Sequence, residues 1–247
     1  MINLLSHLGL YFIMIKKVIS KPENLSVFRK QLMQEMEKVG FNSVSLVIIL
    51  SFFVGAVVSI QTSINMSVSP LLPSYLVGLA SRDSLILEFS PTMISLILAG
   101  KVGSSIASEL GSMRVTEQID ALEIMGINSV SFLILPKVIS AIFFFPLLII
   151  ISMGVGMIGA WAGGISVDIT TVEFMYGLKY EFNPFYITYA IIKTVFFAFI
   201  ISTVSSYYGY HTKGGAIAVG RASTNAVVTS SILILLFNYI LTDIILS

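Results

Sequence analysis

Residues 109–126 read ELGSMRVTEQIDALEIMG and form a charged block between two long apolar stretches. Soluble domains carry about 25% charged residues. Only 11% of this 247-residue chain is charged, and 56% is hydrophobic. The composition is therefore that of a membrane protein, in which a block of this kind faces something outside the bilayer. Its five charged residues are Glu109, Arg114, Glu117, Asp120 and Glu123.

The apolar stretches on either side of this block predict a helical membrane protein. A bilayer core takes about 20 apolar helical residues per span. Five stretches are long enough, so we expect an all-α integral membrane protein with five transmembrane helices. The expected spans are 44–67, 85–107, 132–164, 186–208 and 227–246, within a membrane domain of residues 42–247 that follows an N-terminal region of residues 1–41.

The N-terminal region contains a candidate surface helix. Pro22 suits a helix start and Gly40 suits a helix stop. Apolar residues recur at three- and four-residue spacing between them, with charged residues beside them. This pattern indicates an amphipathic helix in the membrane interface, and the alternative is a soluble helix packed on a partner.

The distribution of lysine and arginine predicts the orientation of the spans. Most of these residues precede the first span or follow the second and fourth, whereas the other side carries only Arg82 and Lys179. Because cytoplasmic segments are enriched in Lys and Arg, we expect a cytoplasmic N-terminus and a periplasmic C-terminus. The charged block then faces the cytoplasm.

Several classes of function are disfavoured by the sequence. The net charge of +1 gives no indication of nucleic acid binding, and the chain has no cysteine and only two histidines. We expect no metal site, no catalytic residues and no enzyme activity. The sequence lacks a Walker A motif, since Gly100 and Lys101 are followed by Val102 inside a span. We therefore expect no cofactor in this chain, and ATP would have to be bound by another chain.

The charged block itself predicts a short helix from Glu117 to Met125. Thr116 is the expected N-cap, and Gly126 is the expected C-terminal stop. One side of this helix is acidic, and Ile119, Leu122 and Met125 form an apolar side. Such a helix could dock into a groove on a soluble partner, or it could be a solvated loop helix without a partner.

Ionisable residues inside the apolar spans are candidates for a cavity. Glu88 begins a stripe of polar side chains that continues with Thr92 and Ser95, and Lys193 lies at a comparable depth. A charge at the bilayer centre costs about 3 kcal/mol on insertion scales, so such residues usually pair or line a cavity. The alternative is that each side chain reaches the outer interface.

A second polar segment lies between the last two spans. Gly214, Gly215 and Arg221 are expected to form a second cytoplasmic loop. This loop could border a partner or bind anionic lipid headgroups, and an ordinary tight turn is the alternative.

Two of these segments resemble the MlaE/YrbE family of ABC transporter permeases. They are GKVGSSIASELGSMRVTEQIDALEIMGIN at 100–128 and GGAIAVGRASTNAVV at 214–228. The resemblance implies that residues 42–247 are a permease domain in the cell inner membrane. It implies a homodimer whose coupling helix at 109–126 touches a separate cytoplasmic ABC ATPase. It also implies a periplasmic MCE-domain (MlaD-like) partner and a phospholipid or related lipid as cargo.

The resemblance places Glu88 and Lys193 near the lipid cavity of the family. The family often has arginine just before this glutamate, whereas this chain has Leu87. This difference weakens any argument, carried over from relatives, that charge at this site binds a lipid headgroup. Two other functions stay open. A secondary transporter or channel usually has internal repeats, of which we find none that is convincing. A non-transporting membrane scaffold would not need Glu88 and Lys193 inside the bilayer.

Overall fold

The computed structural model describes residues 2–18, 25–67 and 72–246, and the regular structure in these ranges is helical. Five helical stretches among the described residues are long and apolar enough to cross a membrane. The all-α class and the number of candidate spans are therefore confirmed. These stretches are Leu25–Ser67, Tyr75–Val115, Ser129–Ile165, Phe185–Tyr210 and Ala216–Leu246.

The individual α-helices follow one another with short connections, and π-helical segments join some of them. The π-helical segments are Glu37–Phe41, Leu85–Met93 and Ala99–Gly103. The α-helices are α1 (Ile2–Val18), α2 (Leu25–Met36), α3 (Asn42–Ser67), α4 (Tyr75–Ser84), α5 (Ile94–Leu98), α6 (Ser104–Val115), α7 (Gln118–Ile124), α8 (Ser129–Ile165), α9 (Thr171–Lys179), α10 (Phe185–Tyr210) and α11 (Ala216–Leu246).

Gly40 does not end the N-terminal helix, so that prediction is wrong. The π-helical segment Glu37–Phe41 carries the helix from α2 directly into α3. A Cβ atom at Gly40 would lie 2.2 Å from a ring carbon of Phe144, so glycine is needed there for close packing. The predicted helix start at Pro22 lies outside the described residues.

Three of the candidate spans begin well before the predicted positions, and the first of them begins at Leu25 rather than near residue 44. The second stretch begins at Tyr75 rather than near residue 85, and the last begins at Ala216 rather than near residue 227. Hydropathy marks only the apolar centre of a span. Polar residues continue the helix beyond that centre, because the backbone hydrogen bonds of a helix are satisfied within the helix whatever the solvent.

The described chain divides into two compact units. The first combines Met1–Phe41, Leu96–Phe144 and Phe196–Tyr239. In this unit the hydroxyl groups of Tyr11 and Thr203 lie 2.7 Å apart, and the ring of Tyr11 meets that of Tyr207 edge-on. These contacts attach α1 to α10, and Met14 and Val18 of α1 are buried.

The second unit combines Asn42–Ser95, Phe145–Val195 and Ile240–Ser247. Small residues bring α3 and α8 into close contact here. A Cβ atom at Gly159 would lie 2.0 Å from the carbonyl oxygen of Phe52, and one at Gly163 would lie 2.4 Å from that of Ala56. Gly159 and Gly163 therefore allow the two helices to pack closely.

A buried arginine connects α4 to the end of α9 in the same unit. Arg82 is almost fully buried and donates to the carbonyl oxygens of Leu178 and Tyr180, at 2.9 Å and 2.8 Å. It also forms an ion pair with Asp83. The last carbonyl groups of a helix have no partner within the helix, so this guanidinium caps the C-terminus of α9.

Candidate functional site

An ion pair joins α10 to the π-helical segment Leu85–Met93 within the second unit. Lys193 Nζ lies 2.8 Å from Glu88 Oε1. The lysine side chain is fully buried, whereas 41% of the glutamate side chain is exposed. The two ionisable residues singled out in the sequence therefore form one pair, and its accessible member is Glu88.

Pro91 shapes the backbone around this pair. Proline has no backbone N–H, so it cannot donate to the carbonyl group four residues earlier as an α-helix requires. That carbonyl belongs to Leu87, and Lys193 Nζ lies 3.4 Å from its oxygen. The carbonyl that loses its α-helical donor is thus within reach of the lysine. π-helical turns are rare and occur frequently at functional sites.

Neutral polar side chains from three helical segments surround the carboxylate. The hydroxyl groups of Tyr189 and Thr242 lie 3.5 Å and 3.3 Å from Glu88 Oε1. The Thr92 hydroxyl donates to Oε2 at 3.3 Å. The ring of Tyr189 also covers the ammonium group of Lys193, with 4.6 Å between Nζ and the ring centre. The pair therefore belongs to a polar cluster to which three candidate spans contribute.

Ser95 does not join this cluster, although the sequence placed it on the same stripe. Its side chain is fully buried, and its hydroxyl has no hydrogen-bond partner among the described residues. The stripe assumed the regular 3.6-residue turn of an α-helix. The π-helical segment that ends at Met93 has more residues per turn, which moves Ser95 away from Glu88.

An apolar cleft of about 430 Å³ opens in the same unit beside the segment that carries Glu88. Phe89 and Met93 of that segment form one wall, and α3 forms the other. Its lining is almost entirely apolar, and the α3 residues at the cleft are Phe53, Val54, Val57, Val58, Gln61 and Thr62. The second unit thus combines a polar cluster with an adjoining apolar groove.

The charged block forms two helices rather than one. Helix α6 ends at Val115, and α7 extends from Gln118 to Ile124. Thr116 is not the N-cap of α7, so that prediction is wrong: its hydroxyl donates to the carbonyl oxygen of Ser112 at 2.9 Å. The residue before α7 is Glu117, in the left-handed conformation with φ 59°. The chain turns so sharply here that the threonine closes the preceding helix instead.

Gly126 ends α7 as predicted. It has φ 79°, a conformation that glycine adopts without steric cost. Its N–H donates to the carbonyl oxygen of Glu123, and that of Ile127 donates to Leu122. This is the hydrogen-bond pattern of a glycine-terminated helix.

Polar contacts within the first unit hold α7 in place. Arg114 Nη1 lies 2.6 Å from Asp120 Oδ1. Glu123 accepts hydrogen bonds from the hydroxyl groups of Tyr210 and Ser129, at 2.7 Å and 2.9 Å. These two bonds, that of Tyr210 first, lower the pKa of Glu123. The carboxylate therefore stays ionised and keeps α7 beside the start of α8 and the end of α10.

The apolar residues in and next to α7 are divided between the core and the surface. Ile119 is fully buried, whereas 88% of Ile124 and 64% of Met125 are exposed. Glu117 is also exposed. The end of α7 therefore presents two large apolar side chains next to acidic residues, as a docking element would.

Glu109 belongs to a four-membered network of charges that the sequence analysis missed. Lys137 Nζ lies 2.7 Å from Glu109 and 2.8 Å from Glu35. Lys38 Nζ lies 2.9 Å from Glu109 and 3.4 Å from Glu35. The network ties α2 and the following π-helical segment to α6 and α8. A lysine beside Pro136 in an apolar stretch was the only signal of it in the sequence.

The second polar segment is a turn followed by a helix. Gly214 has φ 117°, in the region that favours glycine, and Gly215 is exposed. Arg221 is exposed on α11, which begins at Ala216, so it lies on a helix rather than in a loop. Val219 of the same helix contacts Gly111 of α6, where a Cβ atom would be 3.2 Å away. The segment is thus a glycine-containing turn that leads directly into α11.

Together, these features define a class of protein. It is a multi-pass membrane protein with a polar cluster among its membrane-spanning helices and a separate charged segment between two candidate spans. Comparison with known proteins identifies the family. The family model described as Permease MlaE matches residues 32–244.

Relatives from distant organisms agree with this match. A probable ABC transporter permease of Rickettsia prowazekii (strain Madrid E) is 38% identical over 233 residues, covering 94% of this chain and 88% of the relative. A probable ABC transporter permease of Synechocystis is 32% identical over 214 residues, covering 86% and 81%. The chloroplastic protein TRIGALACTOSYLDIACYLGLYCEROL 1 of Arabidopsis thaliana is 33% identical over 223 residues, covering 85% and 60%. The chain belongs to the MlaE permease family and is a permease subunit.

Proposed function

We propose that this permease subunit moves a phospholipid or related lipid across or between the envelope membranes, with the energy supplied by a separate ATPase. The observation that carries the proposal is the Glu88–Lys193 pair beside an apolar cleft within candidate membrane spans. A lipid has a polar headgroup and apolar chains, and the two parts of this site match them. The name of the Arabidopsis relative refers to an acylglycerol lipid, which agrees with this class of cargo.

The energetics of the pair favour a functional role over a structural one. Buried ion pairs are weak sources of stability, because desolvation of both charges offsets their attraction. Ionisable residues within spans therefore usually mark a pathway or a binding site. In this proposal the cluster around Glu88 receives the headgroup, and the cleft lined by Phe89 and Met93 receives an acyl chain.

The charged block is the proposed contact with the ATPase. Ile124 and Met125 would enter a groove on that subunit, and the exposed Glu117 and the partly exposed Asp120 would border it. The charge network of Glu109 and Lys137 would transmit movement of this segment to α2 and α8. Gly214, Gly215 and Arg221 would border the same contact. ATP would be bound by the partner, so the permease itself needs no cofactor.

The proposed assembly is a homodimer in the cell inner membrane. Its N-terminus faces the cytoplasm together with the charged block, and its C-terminus faces the periplasm. A periplasmic MCE-domain (MlaD-like) protein would exchange lipid with the dimer. The membership of the MlaE family supports this arrangement.

Purification of the tagged protein from its native membrane in mild detergent, followed by native mass spectrometry, tests the proposal. We expect an associated ATPase, two permease chains and bound phospholipid. The variant Ile124→Asp should lose the ATPase and keep the lipid, because it changes only the exposed end of α7. A lone, lipid-free chain that does not stimulate any ATPase would contradict the proposal.

A further inference from the structure

The two members of the Glu88–Lys193 pair are not equally accessible, and this asymmetry limits which headgroup the site can hold. Lys193 is fully buried behind its partners: the carboxylate of Glu88, the carbonyl oxygen of Leu87 and the ring of Tyr189. A lipid phosphate could reach the ammonium group only by breaking the 2.8 Å ion pair. The lysine therefore positions the glutamate and does not contact the lipid.

The member of the pair that meets an entering headgroup is Glu88, because 41% of its side chain is exposed. An ionised carboxylate only accepts hydrogen bonds. Its bonds to N–H or O–H donors are charge-assisted and therefore short and strong. A phosphate placed next to it would be repelled, whereas a donor next to that phosphate would be attracted. The residues that line the adjoining cleft include no second carboxylate that could compete for the headgroup donor.

We propose that the site selects lipids whose headgroup carries a hydrogen-bond donor over otherwise identical lipids without one. Primary ammonium groups, as in phosphatidylethanolamine, and hydroxyl groups, as in phosphatidylglycerol, share this chemistry. The trimethylammonium group of phosphatidylcholine lacks it. The inference rests on the proposed function, since it names the substrate class of the same site.

Competition between two lipids that differ only in N-methylation provides the test. The full chain, purified with its associated subunits, is incubated with an equimolar mixture of phosphatidylethanolamine and phosphatidylcholine of identical acyl chains. The retained lipids are counted by mass spectrometry. One hydrogen bond to a charged group changes an affinity by roughly tenfold or more. We therefore expect about tenfold enrichment of phosphatidylethanolamine.

Two variants separate the role of the carboxylate from general effects of removing a negative charge. Glu88→Gln keeps the shape and an acceptor for Lys193 but removes the charge, so the enrichment should fall to less than about twofold. Asp168→Asn is the matched control. Asp168 is an exposed acid of the second unit with φ 62°, a conformation that asparagine tolerates. It should keep the full enrichment.

A measurement on the unmodified protein guards against a folding defect in Glu88→Gln. Retention should fall stepwise through the mono-, di- and trimethylated lipids, with the largest step at the loss of the last N–H. Enrichment of phosphatidylglycerol equal to that of phosphatidylethanolamine would support donor chemistry with hydroxyl groups as a second source. Equal retention of all lipids, or a preference that survives in Glu88→Gln, would overturn the inference and leave the proposed function intact. Absence of any retained phospholipid would instead overturn the proposed function.

Discussion

At the scale of single residues, the sequence singled out both Lys193 and Glu88, but it did not predict the geometry of the ion pair that they form. Both residues stand out because they interrupt apolar stretches. Their distance of 2.8 Å and their unequal exposure depend on the packing of α10 against a π-helical segment. Such packing cannot be read from residue spacing, because the spacing assumes the regular α-helical turn and this segment is π-helical.

The unequal exposure predicts unequal effects of truncation. Glu88→Ala leaves an ammonium group buried without its carboxylate, and this should cost about 3–5 kcal/mol of unfolding free energy. Lys193→Met leaves a carboxylate that water can reach, so its cost should be smaller. Thermal unfolding in detergent measures both. Adding Lys193→Met to Glu88→Ala should recover much of the loss, and equal losses in the two single variants would contradict the asymmetry.

At the scale of helices, α7 agrees with its prediction at its C-terminal end and differs from it at its start. The sequence predicted its position and its glycine stop correctly, because Gly126 is a strong local signal. It failed at the start, since Thr116 closes α6 and Glu117 takes a left-handed conformation. A threonine can serve the helix on either side of it. Only the direction in which the chain turns decides between the two.

A comparison of two threonines tests the corrected role of Thr116. Thr170 is a true N-cap: its side chain accepts from the N–H of Glu173 in a reciprocal capping box at the start of α9. Thr170→Ala should lower the unfolding free energy by about 1 kcal/mol. Thr116→Ala should change it much less, because α7 loses no cap. Hydrogen exchange of the first turn of each helix reports the difference, and equal acceleration in α7 would restore Thr116 as a cap.

The charge network that joins α2, α6 and α8 makes a second prediction at this scale. Lys137 and Lys38 contact the same two carboxylates, but the side chain of Lys137 is buried and that of Lys38 is half exposed. Lys137→Met should therefore cost about 3–5 kcal/mol, because it leaves carboxylates without their buried partner. Lys38→Met should cost at most about 1 kcal/mol, as expected for an exposed ion pair.

Thermal unfolding measures the stability lost in each variant. A second readout is the amount of lipid that the assembled complex moves per ATP hydrolysed. If the network transmits movement from the charged block, Lys137→Met should also lower the amount of lipid moved per ATP hydrolysed. Lys137→Arg keeps the charge and should preserve most of this coupling. An equal stability loss for Lys137→Met and Lys38→Met would contradict the assigned burial.

At the scale of the whole molecule, composition was sufficient for the all-α class and for the five candidate spans. It was insufficient for the ends of the helices. Tyr75 and Ala216 begin candidate spans about ten residues before the predicted starts, in segments where Arg82 and Arg221 lower the hydropathy. For Arg82, the buried arginine of α4, the sequence predicted only the side of the membrane on which it lies. Its role as a cap of α9 depends on contacts with residues almost a hundred positions away.

The orientation of the chain is open to a direct test because the sequence contains no cysteine. Ile124 and Val172 are exposed by 88% and 79%, and one candidate span, Ser129–Ile165, separates them. Single variants Ile124→Cys and Val172→Cys should therefore react with an impermeant maleimide from opposite sides of the membrane. We expect Ile124→Cys to react only from the cytoplasm. Labelling of both from one side would contradict the orientation.

Pro91 limits which substitutions this chain can accept during evolution. An amino acid with a backbone N–H at that position could offer its own donor to the carbonyl of Leu87, which Lys193 now approaches to 3.4 Å. Competition for that oxygen would loosen the lysine and, through it, the carboxylate. Positions 91 and 193 lie on different helical segments far apart in sequence. We nevertheless expect the two positions to covary, so that a change at one is tolerated chiefly where the other has changed as well.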